Sequence, residues 1–327
     1  MLEDQRYILQ QILDLALEQR ADALVLAGDI YDKGVPSAEA VQLFDWFLTQ
    51  LCKQGRAVFM VNHDSPERID FASQILQKDG VYIYGAFDGT IHSVCLRDAH
   101  GPVHFHLLPF VRPSWVRRFL GEAIQSYDDA LRAVIDAGTF DWAARNILAA
   151  HQFFISGGGQ PERSESEANV GGLDSMDIAP VAGFDYVALG HLHAPQQIGA
   201  PHIRYAGSPL KYSFSEHLHQ KSVTRVLLQE KGNVQIDLLP LCPLRDMRKL
   251  KGPLAQLTDP LVAAGGNCTD YLHVTLTDQG ELFDAMAALR SVYPNVMELA
   301  FERNGQAPRA QIADIRLVEQ QPPAQLF

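Results

Sequence analysis

The sequence predicts an α/β fold followed by a second, smaller αβ domain. Short apolar runs of strand length alternate with segments whose apolar residues recur at helical spacing, which is the pattern of buried strands and covering helices. The chain has 327 residues, of which 47% are hydrophobic and 20% charged. A chain of this composition can bury a substantial core, so disordered and fibrous classes are excluded.

The elements of the first domain follow in order along the chain. The opening segment predicts a helix, because Ile8, Ile12 and Leu15 recur at helical spacing. The unbroken apolar run ALVLA at 23–27 is typical of a strand buried on both faces. Later patterns predict helices at 38–51 and 69–77, and strands at 57–61, 146–150, 186–189, 223–228 and 234–239. We expect these elements to form one layered domain over 1–240.

A second domain is predicted after a proline-containing link at 240–243. Its pattern is strand, helix, strand, at 271–277, 281–292 and 296–301. We expect this αβ domain to span 245–303 and the polar tail at 304–327 to be frayed. Within the first domain, the Gly-, Ser- and Glu-rich stretch at 156–172 predicts a loop that is either simply solvated or a lid.

Charge and the N-terminal residues narrow the class of protein. Twenty-seven Lys and Arg against thirty-nine Asp and Glu give a net charge of −12, which lacks the positive excess of a protein that holds nucleic acid by itself. No apolar run in the sequence approaches a membrane span, and MLEDQRYILQ lacks the basic and apolar regions of a signal peptide. The four cysteines lack C-x-x-C spacing, which argues against a disulfide framework. We expect a cytoplasmic protein without membrane association.

Polar side chains follow four of the predicted strands at the point where each strand ends. These ends are Gly28-Asp29, Asn62-His63-Asp64, His151-Gln152 and Gly190-His191-Leu192-His193. Because the carboxyl ends of parallel strands lie along one edge of a sheet, we expect these groups to come together. His191 and His193, two residues apart, would point the same way in an extended segment.

The chemistry of these groups indicates a metal site. Imidazole, carboxylate and amide oxygen suit a first-row divalent ion such as manganese, zinc or iron. Two ions about 3.5–4 Å apart can hold the attacking and leaving oxygens of a phosphoryl displacement. Singly, Asp29 could cap a turn and His151 could be a structural histidine, so the coincidence of four strand ends carries the prediction. We interpret the remaining candidates as structural or solvated: His100, His104, His106, His217 and His219.

Five stretches of the sequence carry a resemblance to a known family. They are AGDIYDKGVPSAEAVQLFDWFL at 27–48, NHDSPERI at 62–69, AAHQFF at 149–154, ALGHLHAPQQI at 188–198 and YAGSPLKYSFSE at 205–216. They resemble the calcineurin-like metallophosphoesterases and, within these, the nuclease subunits of bacterial SbcCD complexes. The resemblance implies a β-sandwich flanked by helices, with a small C-terminal αβ capping domain.

The resemblance also implies an activity, a site and partners. The expected activity is DNA phosphodiester hydrolysis, as exonuclease and end-processing endonuclease in repair and recombination, with two divalent ions, manganese being the expected metal. The implied ligands are Asp29, which would bridge both ions, Asn62, His151 and His191 at one site, and His193 at the other. His63 would face the substrate phosphate as an acid or charge stabiliser. The implied partners are DNA and an SMC-type ATPase, SbcC, with a homodimer of nuclease subunits inside a heterotetramer.

Two departures from the family pattern affect this prediction. The family has a further strand before the first helix, ending in a D-x-H motif that supplies an Asp and a His to one metal site, and residues 1–20 contain no histidine. We therefore expect an N-terminally incomplete first domain with one incomplete metal site. Val61 stands where the family has glycine before NHD, and a β-branched residue does not readily adopt a positive φ. The expected positions of Asn62 and His63 depend on this turn.

A basic run opens the second domain. It consists of Arg245, Arg248, Lys249 and Lys251, and it predicts either contact with DNA phosphates or an ordinary solvated face. Two other functions stay open at this point. One is a phosphoesterase acting on small substrates, against which the capping domain and the subfamily stretches argue. The other is a non-catalytic docking subunit, which an incomplete metal site would favour.

Overall fold

The computed structural model describes residues 1–31, 34–61, 73–159, 161–167, 175–280, 282–303 and 306–312. The chain divides into two compact units, Met1–Leu210 with Leu218–Pro243, and Lys211–His217 with Leu244–Phe327. Within the described ranges, no helix is both long and apolar enough to cross a membrane. Each unit is an assembly of helices and sheets, and the first carries every predicted strand end except the one at 62–64, which lies outside the described residues.

The described elements alternate along the chain. The helices are Leu2–Glu18, Ala38–Lys53, Ser73–Leu76, Pro113–Leu120, Tyr127–Ala137, Leu254–Leu257, Pro260–Ala263 and Ala285–Arg290. The strands are β1 (Ala23–Ala27), β2 (Ala57–Val61), β3 (Val81–Tyr84), β4 (His92–Asp98), β5 (Gly101–Leu108), β6 (Arg145–His151), β7 (Phe153–Ile155), β8 (Ser175–Asp177), β9 (Tyr186–Gly190), β10 (Gln196–Ile198), β11 (Ala200–Tyr205), β12 (Ser222–Leu228), β13 (Val234–Pro240), β14 (Met247–Gly252), β15 (Tyr271–Leu276), β16 (Val296–Arg303) and β17 (Gln306–Ile312). Short 3₁₀ turns lie at Gln77–Asp79, Glu165–Glu167, Ala179–Val181 and Phe214–Glu216.

A parallel sheet in the order β1-β2-β3 forms one layer of the first unit. Successive side chains of β2 point to opposite faces, so Met60 packs with the helices Leu2–Glu18 and Ala38–Lys53, while Phe59 packs on the second sheet. The second of these helices begins at Ser37, whose hydroxyl accepts a hydrogen bond from the N–H of Ala40. The apolar runs that predicted these elements therefore form their core.

The second layer of the first unit is a six-stranded sheet in the order β10-β11-β9-β6-β5-β4. Its four central strands are parallel, and β4 and β10 run antiparallel at the two edges. The rings of Phe59 and Phe105 stack at 4.0 Å between the two sheets. The helices Pro113–Leu120 and Tyr127–Ala137 cover the outer face around Leu148. The predicted sandwich of two sheets flanked by helices is confirmed.

Strand direction brings distant parts of the chain to one edge of this sandwich. β6 and β9 are parallel neighbours with His151 opposite Gly190, and β1 of the other sheet packs against both. The carboxyl ends of β1, β6 and β9 therefore meet. Val61, the last residue of β2, is fully buried and lies within the regular parallel register, so β2 needs no glycine there.

The second unit is built on a four-stranded sheet in the order β14-β15-β16-β17, in which β17 is antiparallel to its neighbour. The prediction of a frayed tail is wrong for Gln306–Ile312, because backbone hydrogen bonds to β16 form an edge strand without needing an apolar run. The predicted helix at 281–292 is shorter, since Asp284 caps it by accepting a hydrogen bond from Ala287 N–H.

The segment Lys211–His217 differs from the predicted boundary at 240, because it belongs with the second unit. The ammonium of Lys211 lies 2.8 Å from a carboxylate oxygen of Asp246. The ring of Phe214 lies 5.6 Å from that of His273 in β15. An ion pair and a ring contact thus tie this segment to the sheet that the later residues form.

Candidate metal centre

Three of the predicted ligands meet at the shared edge of the two sheets. Asp29, His151 and His191 each offer a ligand atom, and these atoms all lie within 4.8 Å of one another. His151 is fully buried at the end of β6, whereas Asp29 is exposed in the turn after β1. His191 directly follows β9. Asn62 and His63 lie outside the described residues, so their placement stays a prediction.

Two glycines allow these strand ends to approach so closely. A Cβ on Gly190 would lie 1.5 Å from the carbonyl oxygen of Ala27, and a Cβ on Gly28 would lie 2.0 Å from Nδ1 of His151. Neither position has room for any side chain. Gly28 also has φ of 99°, which L-residues rarely adopt. Glycine at both positions is therefore a condition for the site, since it lets β1, β6 and β9 touch at their ends.

The orientation of His151 is fixed by the backbone. Its Nδ1 lies 2.7 Å from the carbonyl oxygen of Ala27, and because a carbonyl only accepts, Nδ1 must carry the proton of the neutral ring. Nε2 then bears the lone pair, and it lies 3.4 Å from Oδ1 of Asp29. The ring thus presents its basic nitrogen to the same region as the carboxylate.

The backbone around His191 is strained. His191 has φ of 108° and Asp29 has φ of 47°, in the left-handed region that glycine favours. The expectation that His191 and His193 point the same way in an extended segment is therefore wrong, since β9 ends at Gly190 and the chain turns at His191. The intervening Leu192 is buried in the core, and His193 lies beside Glu167 instead, with Nδ1 3.8 Å from Oε1.

The donor set fits a first-row divalent ion. It combines one carboxylate with two imidazoles, a mixture that suits manganese, iron and zinc. Two ligands at about 2.1 Å from one ion can be at most about 4.2 Å apart, and Nε2 of His151 and Oδ1 of Asp29 are 3.4 Å apart. The hydrogen bond from Nδ1 of His151 to a backbone carbonyl is also the arrangement that usually orients a metal-binding histidine.

A buried tyrosine that the sequence analysis did not single out supports the segment after His151. The hydroxyl of Tyr205 donates to the carbonyl of Gln152 at 2.8 Å and accepts from the N–H of Phe154 at 2.7 Å. Burial raises the pKa of this phenol, so it stays protonated and can donate. Tyr205 opens the stretch YAGSPLKYSFSE, so its position in a family-like motif was the signal available in the sequence.

The expectation of a simply solvated loop at 156–172 is wrong for Glu167. This residue is only 6% exposed, and its carboxylate accepts hydrogen bonds from the backbone N–H groups of Ser164 and His193. The polar composition of the stretch hid this role, because the contact is made with a residue far along the chain. Lys221 is a second missed residue, and its ammonium donates to the carbonyl of His193 at 2.8 Å.

Histidines outside this centre make structural contacts, as predicted. The buried ring of His106 lies 2.6 Å from the hydroxyl of Ser93 and 2.9 Å from the side-chain oxygen of Asn146. Burial lowers the pKa of His106, so the ring is held neutral. His219 lies 3.0 Å from the carboxylate of Glu162, and His100 lies 3.4 Å from that of Glu230.

The basic run does not form one face of the second unit. Strand alternation in β14 places Lys249 and Lys251 on one side of the sheet, and Arg248 on the side where Leu250 joins the core. Arg248 pairs with Asp270 at 2.6 Å, and Lys251 pairs with Glu302 at 2.8 Å. Contact of this run with DNA stays a prediction, and Lys249 is the exposed member of β14 with no acidic partner among these pairs.

Comparisons with known proteins agree with this geometry. The family model for calcineurin-like phosphoesterases matches residues 2–195. A second model, described as the type 5 capsule protein repressor C-terminal domain of the SbcD_C type, matches residues 243–327. The chain is 32% identical over 307 residues to a Staphylococcus epidermidis protein named as the SbcD component of the nuclease SbcCD, covering 92% of this chain and 80% of that relative.

Proposed function

Because the chain belongs to the calcineurin-like phosphoesterase family, we propose that it is a metal-dependent nuclease that hydrolyses DNA phosphodiester bonds. The observation that carries the proposal is the group of Asp29, His151 and His191 at the meeting of three strand ends. The likeness to a protein named as part of a nuclease selects DNA from the phosphoester substrates of the family. The second unit, matched by the SbcD_C model, supports the same assignment.

We assign the residues to roles as follows. Asp29, Asn62, His151 and His191 hold one divalent ion, and Asp29 and His193 contribute to a second. Manganese is the metal proposed, and a divalent ion there polarises a phosphoryl oxygen and lowers the pKa of water. The carbonyl of Ala27 keeps Nε2 of His151 basic, and His63 donates a proton to the leaving oxygen.

The partner proposed is an SMC-type ATPase of the SbcC kind, with two nuclease subunits in a heterotetramer. The relative's name places that protein in an SbcCD complex. The net charge of −12 supports a division of labour, because an acidic chain binds a polyanion weakly unless another subunit supplies positive charge. We expect isolated DNA affinity to be low and to rise when the ATPase is added.

The proposal is tested by cleavage of end-labelled linear duplex DNA in manganese. Residues 1–20 contain no histidine, so we compare the chain of residues 1–327 with a version preceded by a strand that ends in D-x-H. We expect the extended version to cleave orders of magnitude faster, because two more ligands support the attacking and leaving oxygens. His63→Ala in that version should abolish cleavage while leaving the metal content intact.

A catalytic blank separates this proposal from its rivals. In the extended version, Asp29→Ala should remove cleavage of DNA and also hydrolysis of bis(p-nitrophenyl) phosphate. Cleavage that survives Asp29→Ala would contradict the proposal. Hydrolysis of the small diester without any DNA cleavage, with the ATPase present, would favour a small-substrate phosphodiesterase. Neither activity, with DNA and ATPase binding retained, would favour a non-catalytic docking subunit.

A further inference from the structure

A buried carboxylate lies under one of the proposed metal ligands. Glu167 ends the 3₁₀ turn Glu165–Glu167, and only 4% of its side chain is exposed. Its Oε2 accepts a hydrogen bond from the N–H of Ser164 at 3.0 Å. Its Oε1 accepts from the N–H of His193 and lies 3.8 Å from Nδ1 of the same residue. One carboxylate thus contacts both the backbone and the ring of His193.

The opposite side of His193 is held as firmly. Its carbonyl oxygen accepts hydrogen bonds from the ammonium of Lys221 at 2.8 Å and from the N–H of Ser208 at 3.1 Å. Lys221 also donates to the hydroxyl of Ser208 at 2.8 Å. Gly207 makes room for this contact, since a Cβ there would lie 2.7 Å from the carbonyl of His193. Buried groups of opposite charge therefore bind the two ends of one peptide residue.

Burial of a carboxylate is costly unless hydrogen bonds and neighbouring charge compensate it. A surface loop has no need of this expense, because an uncharged side chain could close the 3₁₀ turn equally well. The charge has an effect on the adjacent ring, however. A carboxylate beside Nδ1 favours the tautomer in which Nδ1 carries the proton, which leaves the lone pair on Nε2. His151 reaches the same tautomer through the carbonyl of Ala27.

We propose that Glu167 is a positioning residue that sets the backbone and the tautomer of His193, so that Nε2 binds a divalent ion. This inference rests on the proposed function for the ligand role of His193, but not for the tautomer. It makes the loop that contains Glu167 part of the metal centre. Carboxylates that orient a metal-binding histidine from behind typically change metal affinity about 10- to 100-fold when removed.

The tautomer is tested in metal-free protein labelled with [¹⁵N]histidine. The ring and amide signals of His193 are assigned by their loss in His193→Ala. We expect wild-type His193 to be in the Nδ1–H form, and Glu167→Gln to shift it toward a mixture and to speed exchange of its amide proton. The matched control is Glu165→Gln, which removes an exposed carboxylate two residues away and should change neither signal. Glu167→Asp keeps the charge and should show an intermediate shift.

The metal arm is a Co²⁺ titration followed by visible absorption, in a double-mutant cycle of Glu167→Gln and His193→Ala. We expect each single variant to weaken Co²⁺ binding about 10- to 100-fold and the double variant to be no weaker than His193→Ala alone. Thermal unfolding of the metal-free variants controls for folding, and Glu167→Asp replaces Glu167→Gln if the latter does not fold.

The outcomes separate the two proposals. Unchanged ¹⁵N signals in Glu167→Gln, or strictly additive losses of Co²⁺ affinity, would overturn the positioning role of Glu167. If His193→Ala leaves Co²⁺ affinity unchanged, the ligand role given to His193 under the proposed function fails. A shift of tautomer in Glu167→Gln would in that case still support the hold of Glu167 on His193.

Discussion

The metal edge of the first unit and the basic run of the second differ in how sequence neighbours become spatial neighbours. Asp29, His151 and His191 are far apart in the chain, yet their ligand atoms lie within 4.8 Å. Arg248, Lys249 and Lys251 are nearly consecutive, yet β14 divides them between two faces and two of them pair with acidic residues. Strand topology therefore gathers the first set and disperses the second.

The two regions also differ in backbone strain and packing. At the metal edge, Asp29 and His191 have positive φ, and Gly190 presses against the carbonyl of Ala27. The described part of the basic run lies in regular strand geometry with partly exposed side chains. Strain persists only where the surrounding structure enforces it, so its concentration at the metal edge marks that edge as the functional region.

The largest effect on this comparison should come from Gly190→Ala. A Cβ 1.5 Å from the carbonyl oxygen of Ala27 cannot be accommodated, so β1 and β9 must separate. We expect the free energy of unfolding to fall by about 3 kcal/mol or more, a drop in Tm of roughly 6–12 °C, with loss of metal binding. Thermal unfolding and metal content measure both effects.

The control for that variant is Gly183→Ala, whose Cβ would make ordinary contact with Trp142 at 3.5 Å. It should change stability by less than about 0.5 kcal/mol. If Gly190→Ala melts and binds metal like the Gly183 control, the close approach of the strand ends is not a condition for the site.

A middle-sized effect is expected from Tyr205→Phe. Loss of the hydroxyl leaves the N–H of Phe154 and the carbonyl of Gln152 without this partner, which costs about 1–3 kcal/mol of stability. Because this hydroxyl supports the segment after His151, Mn²⁺ affinity should also fall. Calorimetric titration with Mn²⁺ and thermal unfolding report the two changes separately.

Tyr186→Phe is the matched control, since Tyr186 is also buried but begins β9 at the end away from the metal edge. Burial raises the pKa of Tyr186 to about 12, so both phenols are protonated at neutral pH. The control should leave Mn²⁺ affinity unchanged. Equal losses of Mn²⁺ affinity in the two variants would show that Tyr205 acts through general stability alone.

The smallest effect concerns the basic run and DNA. Replacement of Arg245, Arg248, Lys249 and Lys251 by Ala should lower DNA affinity and flatten its salt dependence by up to roughly one unit of log–log slope per lost contact. We expect Lys249→Ala to account for most of this change, because Arg248 and Lys251 already pair with Asp270 and Glu302. Hydrolysis of a small diester should not change. An unchanged salt slope would identify the run as an ordinary solvated face.

The parts of the fold that the sequence predicted are those set by local patterns. The apolar runs at β1 and β2 predicted both strands to the residue, and the polar groups after β1, β6 and β9 predicted the metal edge. The roles of Glu167 and Tyr205 depend on contacts between residues distant in the chain, so no local pattern revealed them. The edge strand β17 was missed because backbone pairing leaves a weak signal in a polar sequence.

The central claim is that Asp29, His151 and His191 jointly hold a divalent ion, and the most direct test is the Mn²⁺ content of the chain after dialysis. We expect about one tightly held ion per chain of residues 1–327, because the first domain is expected to lack two ligands of the second ion. The ion should be lost in Asp29→Ala and in His151→Ala, and kept in the control His100→Ala. Equal Mn²⁺ content in all four proteins would contradict the claim.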